Sequence, residues 1–128
     1  RVLVFVNTKD EAERVGTALR DVGGGVQVVH GDKLQADRDR AIASFRDGKT
    51  SMLVATDVAA RGLDVPGVAL VVQCDAPRDV DSFVHRIGRT GRAGAFGAAT
   101  TFLDARSVAI APGLVRLLQD AGQRTPTW

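Results

Sequence analysis

Five short apolar runs recur along the chain: VLVFV at 2–6, VQVV at 26–29, MLVAT at 52–56, VALVV at 68–72 and GAATTFL at 97–103. A strand with one wet face alternates polar and apolar residues, whereas a strand covered on both faces reads as a continuous apolar run. These runs do not alternate, so they are expected to be strands buried on both sides. Helical patterns fill the gaps. Thr8 followed three residues later by Glu11 is a capping box, and Ala12, Val15, Ala18, Leu19 and Val22 then form one stripe. Leu34, Ala41, Ile42 and Phe45 form a second stripe. Val80, Phe83, Val84 and Ile87 form a third, entered through Asp79 or Asp81 and closed near Gly88. Leu114, Val115, Leu117, Leu118 and Ala121 form the last, with Pro112 near its start and Gly122 past its end. This order predicts an α/β fold: a mostly parallel sheet, right-handed crossovers and helices on both faces. Ligands in such folds sit beyond the carboxyl ends of the strands. That directs attention to Asn7, Thr8 and Lys9, to His30, Gly31 and Asp32, to Thr56 and Asp57, and to Asp75, Ala76 and Pro77.

A length of 128 residues argues for one domain, 1–128, large enough to bury about two-thirds of its extended surface. Apolar residues at 45% and charged residues at 25% exclude wholesale disorder. The net charge of +2 is too small to imply a nucleic-acid partner by itself, so that inference must rest on where the charges lie. The 14 Arg against 3 Lys and 13 Asp against 2 Glu fit a coding bias better than a selected phosphate surface. A single cysteine, Cys74, makes no internal disulfide, and an intracellular setting is expected. No apolar run is long enough to span a membrane, and no signal-peptide pattern opens the chain. Arg1 stands directly at an apolar run with no initiator Met, so the chain reads as a piece of something longer.

Three segments carry candidate chemistry. HRIGRTGRAG at 85–94 sets His85, Arg86, Arg89 and Arg92 among glycines. Glycines let the backbone approach a ligand closely, and an arginine so presented can brace a transferring phosphoryl group, an effect worth roughly 10³–10⁵ in rate. ATDVAARGLD at 55–64 places Asp57 and Asp64 around Arg61 and Gly62 after a strand. It resembles a Walker B site, but no GxxxxGK loop occurs in the chain, so magnesium binding by this domain alone is not expected. Asp64 suits a ribose hydroxyl, and a turn or helix-cap role competes for both carboxylates. HGDKLQADR at 30–38 puts Gly31 at a strand end with Gln35 and Arg38 three apart on one helical face, an arrangement suited to a phosphate backbone. His30, Cys74 and His85 lack metal-ligand spacing, so no metal site is expected. Phe5, Phe45, Phe83 and Phe102 fall on apolar stripes or strands and are expected in the core.

Taken together and in order, VLVFVNTK, HGD with QADR, ATDVAARGLD and HRIGRTGR resemble motif IV, the Gln-x-x-Arg motif, motif V and motif VI of the DEAD-box RNA helicases. The likeness runs from Val2 to about Trp128 and includes the ending LVRLLQDAGQRTPTW. It implies a three-layer RecA-like domain, the C-terminal half of a two-domain ATP-dependent motor that unwinds RNA duplexes or remodels RNA–protein complexes. Carried onto this chain, Arg89 and Arg92 match arginine fingers for ATP, with His85 coupling to the partner domain. Asp64, with Gly62 beside it, matches the ribose contact. Gly31, Gln35, Arg38, Thr56 and Asp57 match positions along the RNA backbone. The implied partners are RNA, bound without regard to base sequence, and the N-terminal RecA-like domain of the same protein. That domain is absent from this chain and would hold most of the Mg. A monomer with no membrane association follows, inactive as an isolated piece. The chain departs from the family at Gln73, Cys74, Asp75, Ala76 and Pro77, where Asn-Tyr-Asp-x-Pro is usual. A non-catalytic RNA-binding or protein-docking module of the same fold is the alternative, and a DNA helicase of another group is disfavoured by HRIGRTGR.

Overall fold

A computed structural model describes residues 1–126. Thr127 and Trp128, the end of the family-like tail, lie outside the described residues. The strands are β1 (Val2–Phe5), β2 (Val26–Val29), β3 (Met52–Ala55), β4 (Leu70–Gln73) and β5 (Ala98–Thr101). They form one parallel sheet in the order β2-β3-β1-β4-β5. Helices α1 (Lys9–Asp21), α2 (Gln35–Arg46), α3 (Asp57–Ala60), α4 (Val80–Ile87) and α5 (Ala111–Asp120) connect and follow the strands, with a 3₁₀ turn at Ala105–Ser107. No helix among the described residues is long and apolar enough to cross a membrane.

The chain starts at the sheet centre, runs out to β2, then comes back through β3 and past β1 to β4 and β5. Because right-handed crossovers place outward and inward connections on opposite faces, the strand order dictates which helix covers which side. The packing follows that rule. Leu3, Phe5, Val29, Leu53, Ala55 and Val71 meet Ala41 and Phe45 of α2 and Ala59 and Ala60 of α3. On the other side Val4, Val6, Val26, Val28 and Val54 meet Ala12, Val15 and Leu19 of α1. Successive strand residues thus feed two separate cores, which is why the first four apolar runs show no polar alternation.

The fifth run behaves differently. Ala98, Ala99 and Thr100 are exposed, and Phe102 just beyond them is 61% exposed, so neither two-sided burial nor a core Phe102 holds. β5 is an edge strand, and α5 packs through Ile110 and Leu114 onto Val80 and Phe83 of α4 instead of covering it. Five other residues of the expected stripes also face solvent: Val22, Leu34 and Ala121, which cap α1, α2 and α5 from outside, Ala18 on α1, and Val84, one position round from buried Phe83. Asp79, not Asp81, caps α4, accepting from the Ser82 N–H at 2.7 Å. The short helix α3 carries no apolar period long enough to announce itself.

Phe45 is wholly buried and Phe102 is not. Phe45→Ala should therefore cost about 3–5 kcal/mol in denaturant unfolding. Phe102→Ala should cost no more than about 0.5 kcal/mol.

Candidate nucleotide and RNA site

Arg86 organises the site. It lies on the last turn of α4 and is 1% exposed. A guanidinium has five N–H donors, and burying it is costly unless they are met. Here Nε donates to Asp57 Oδ1 at 2.7 Å and Nη2 to Asp57 Oδ2 at 2.8 Å, a bidentate pair. Nη2 also donates to Asn7 Oδ1 at 2.7 Å, and Nη1 donates to the Asp75 carbonyl at 2.8 Å and, more weakly, to Gln73 Oε1 at 3.4 Å. The guanidinium carbon sits 5.2 Å from the centre of the Phe5 ring, which adds a cation–π contact. Asp57, Asn7 and Asp75 follow β3, β1 and β4, so one side chain ties together the carboxyl ends of three adjacent strands. Further bonds extend the network: the Asn7 N–H donates to Asp75 Oδ2 at 3.0 Å, and Gln73 Nε2 donates to Thr101 Oγ1 at 2.9 Å in β5.

The role of Arg86 is not evident from its membership in an arginine-rich motif. The readable signal is its helical position: three residues after Phe83, on the inward stripe of α4. An arginine there must find a full set of acceptors or unfold the helix end.

Arg89 and Arg92 continue from the end of α4 over a different part of the domain. Arg89 Nη1 donates to the Leu63 carbonyl at 2.6 Å, and Arg92 Nη1 pairs with Asp64 Oδ1 at 3.0 Å. The two arginines border Leu3, Leu63, Val65 and Val68, over the sheet face covered by α2 and α3 rather than beyond the strand ends. The geometry requires this. α4 starts after the carboxyl end of β4 and must travel back along the sheet, so its own carboxyl end is carried away from that edge. Gly62 sits at φ +74°, which lets the chain turn out of α3 into Leu63 and Asp64. At Gly97 a side chain would fall 2.2 Å from Thr90 Oγ1 and 2.5 Å from the Gly91 nitrogen, so the arginine loop can close on itself only with glycine there. The Arg92–Asp64 pair is open, with Arg92 50% and Asp64 87% exposed, and such pairs contribute little stability. It is therefore exchangeable for a ligand. Exposed His85 lines a cleft of about 340 Å³ with Asp57, Arg61, Arg86 and Arg89.

The backbone-binding candidates sort differently. Gly31 is exposed beyond β2, with open space where a side chain would stand. Gln35 begins α2, and its Nε2 donates to Asp39 Oδ1 at 2.8 Å. Arg38 is half-buried with its Nε unpartnered. Thr56 occupies the cap position of α3 without spending its hydroxyl on the cap. Since Val29 lies opposite Ala55, the residues that follow β2 and β3, including Gly31 and Thr56, open on the same edge of the sheet. Asp57 differs from this group in that Arg86 meets both of its carboxylate oxygens, while its side chain stays 49% exposed. Burial pushes the Cys74 thiol up, away from nucleophilic use. Among the described residues no three His, Cys, Asp or Glu side chains are grouped to hold a metal.

The likeness to known proteins agrees with this geometry. The family model for the helicase conserved C-terminal domain matches residues 1–94. The DEAD-box ATP-dependent RNA helicase 30 of Arabidopsis thaliana is 47% identical over 126 residues, covering 98% of this chain and 21% of that protein. The chain thus spans about a fifth of that relative's length. The RNA helicase Prp28 from Chaetomium thermophilum, solved with ADP, superposes with a TM-score of 0.87 at 40% identity, covering 94% of this chain and 30% of that one. The S. cerevisiae Dbp5, solved with RNA and ADP BeF3, gives 0.81 at 38% identity, covering 90% of this chain and 31% of that one. Fold and site together define a RecA-like helicase domain. The chain belongs to the DEAD-box RNA helicases, as a C-terminal domain of that family.

Breaking a buried pair leaves an uncompensated charge, so Arg86→Ala should lose about 3–5 kcal/mol in denaturant unfolding. Arg86→Lys should fail to restore it, since a single ammonium cannot meet acceptors arranged for a fork. The cap at Asp79 gives a pH signature. Its carboxyl is held below the ordinary range by the Ser82 backbone N–H, so its contribution is present at neutral pH and lost as pH falls through the folded-state value. Asp79→Ala should lower the unfolding midpoint at pH 7, and the difference from wild type should vanish in acid.

Proposed function

We propose that this domain completes the ATP site of a two-domain RNA helicase and supplies half of its RNA-backbone groove. The observation that carries the reading is the pairing of Arg89 with the Leu63 carbonyl and of Arg92 with Asp64. Both fingers and the ribose candidate are thereby held on two touching loops. The donor set fits a nucleotide. Arg89 uses one N–H on Leu63 and, among the described residues, has no protein partner for the rest. Arg92 can trade Asp64 for phosphate oxygens, and the exposed Asp64 carboxylate can then accept from a ribose hydroxyl. ADP in the Prp28 structure and RNA with ADP BeF3 in the Dbp5 structure support this reading.

In this reading the partner domain contributes the phosphate cradle and most of the Mg coordination. Arg89 and Arg92 reach its site when the two domains close. They brace the charge that spreads over the phosphoryl oxygens during transfer, while His85 and Arg61 line the adjoining cleft. Gly31, Arg38 and Thr56, with Gln35 beside them, meet RNA through phosphate and sugar, so binding is blind to base sequence and weakens as salt rises. Hydrolysis of ATP supplies the free-energy drop that lets the domains reopen. Arg86 binds neither ligand; it fixes α4, and with it both fingers, to the strand ends that carry Thr56.

The test is ATP hydrolysis by the full-length protein with and without RNA. RNA should stimulate the wild type, and Arg89→Ala should lower the stimulated rate by roughly 10³-fold or more while leaving the fold intact. Hydrolysis indifferent to this change would overturn the assignment of Arg89. A wild type unresponsive to RNA would overturn the reading as a whole.

A further inference from the structure

His30 is 6% exposed, and the reading above gives it no task. It immediately precedes Gly31, and its two ring nitrogens have opposite duties. Nδ1 accepts the Asp32 backbone N–H at 3.2 Å, which requires an unprotonated nitrogen at that position. The proton of the neutral ring then sits on Nε2, which donates to Glu13 Oε1 of α1 at 2.9 Å. The same carboxylate oxygen takes Lys33 Nζ at 2.8 Å, the Lys33 N–H donates to the His30 carbonyl at 3.1 Å, and Lys9 Nζ pairs with Asp32 Oδ2 at 2.5 Å. Loop 30–33 is therefore clamped at every residue except Gly31, whose surroundings are open.

We propose that His30 is a positioning residue for RNA: its neutral ring holds the Asp32 N–H and so fixes the Gly31 backbone against the RNA phosphates. The proposal rests on the RNA-groove reading above. Two cations, Lys9 and Lys33, and two carboxylates, Glu13 and Asp32, face the ring from α1 and from its own loop. β3, the strand next to β2, ends at Ala55 opposite Val29, and uncharged Thr56 follows it. The Lys33 and His30 contacts hold the Glu13 carboxyl below its ordinary range, so it stays ionised in mild acid. A protonated ring keeps its bond to Glu13 but turns an N–H toward the Asp32 N–H. Two donors then meet, the Asp32 amide loses its acceptor, and the Gly31 segment shifts. RNA affinity falls on acidification while the loop stays tied to α1.

The experiment measures the RNA concentration for half-maximal ATPase stimulation of the full-length protein, and kcat at saturating RNA, between about pH 5 and 8. His30→Asn places an uncharged acceptor near the position of Nδ1 but gives up Glu13. His30→Gln reaches Glu13 but leaves Asp32 without an acceptor. The wild type should need more RNA in acid. His30→Asn should match the wild type's alkaline value at every pH. His30→Gln should need about tenfold more RNA even at pH 8, with kcat little changed. The proposal is overturned if His30→Asn keeps the wild-type pH dependence, or if His30→Gln behaves as wild type and His30→Asn does not. Arg38→Ala serves as the control: if it leaves the RNA requirement unchanged, the groove reading itself fails. If it raises the requirement while both His30 variants match wild type, only the role of His30 fails.

Discussion

A fully buried guanidinium must satisfy five donors or destabilise whatever carries it, and that requirement at Arg86 sets the arrangement of the rest of this domain. Its acceptors come from the ends of β1, β3 and β4, which are neighbours only because the sheet order is β2-β3-β1-β4-β5. The fold thus delivers the acceptors, and the acceptors fix the last turn of α4. From that turn the chain launches Arg89 and Arg92. From the same acceptor set, Asp57 adjoins Thr56 beyond the carboxyl end of β3, where RNA is proposed to bind. One ion pair is shared by the element that would meet nucleotide and the element that would meet RNA.

The three motif VI arginines show how context divides one residue type among different tasks. Arg86 spends every donor inside the protein and is structural. Arg89 spends one on a backbone carbonyl, which aims it without neutralising it. Arg92 rests on an exposed carboxylate that solvent and ligand can both replace. Stability falls and availability rises along the series. His30 shows the same economy on the other edge, where a single ring satisfies a backbone amide and a carboxylate at once.

Much of this was legible in the residues. The unalternating runs at 2–6, 26–29, 52–56 and 68–72 gave the parallel sheet, because two-sided burial leaves a periodicity that can be read without coordinates. GAATTFL misled, since small residues and threonines serve an edge strand as well as a central one, and only the sheet order decides. Leu34 and Val22 misled because caps sit just outside the helical period that their side chains seem to continue. Asp64 and Arg92, far apart in sequence, were each readable as nucleotide residues, and the fold brings them to 3.0 Å. Asp57 was readable as a functional carboxylate, but its engagement by Arg86 depends on the turn of α4 and on three strand ends meeting, which no local pattern encodes.

The claim that nucleotide and RNA elements share one frame is tested most directly by the thermodynamic coupling between the two ligands. RNA affinity of the full-length protein would be measured with and without a non-hydrolysable ATP analogue, in wild type and in Asp57→Asn, which keeps the side-chain shape but removes the charge facing Arg86. Couplings between sites commonly amount to about 5–150-fold, and the wild type should fall in that range while Asp57→Asn approaches no coupling, with each ligand still able to bind alone. A variant that retains the full wild-type coupling would contradict the account.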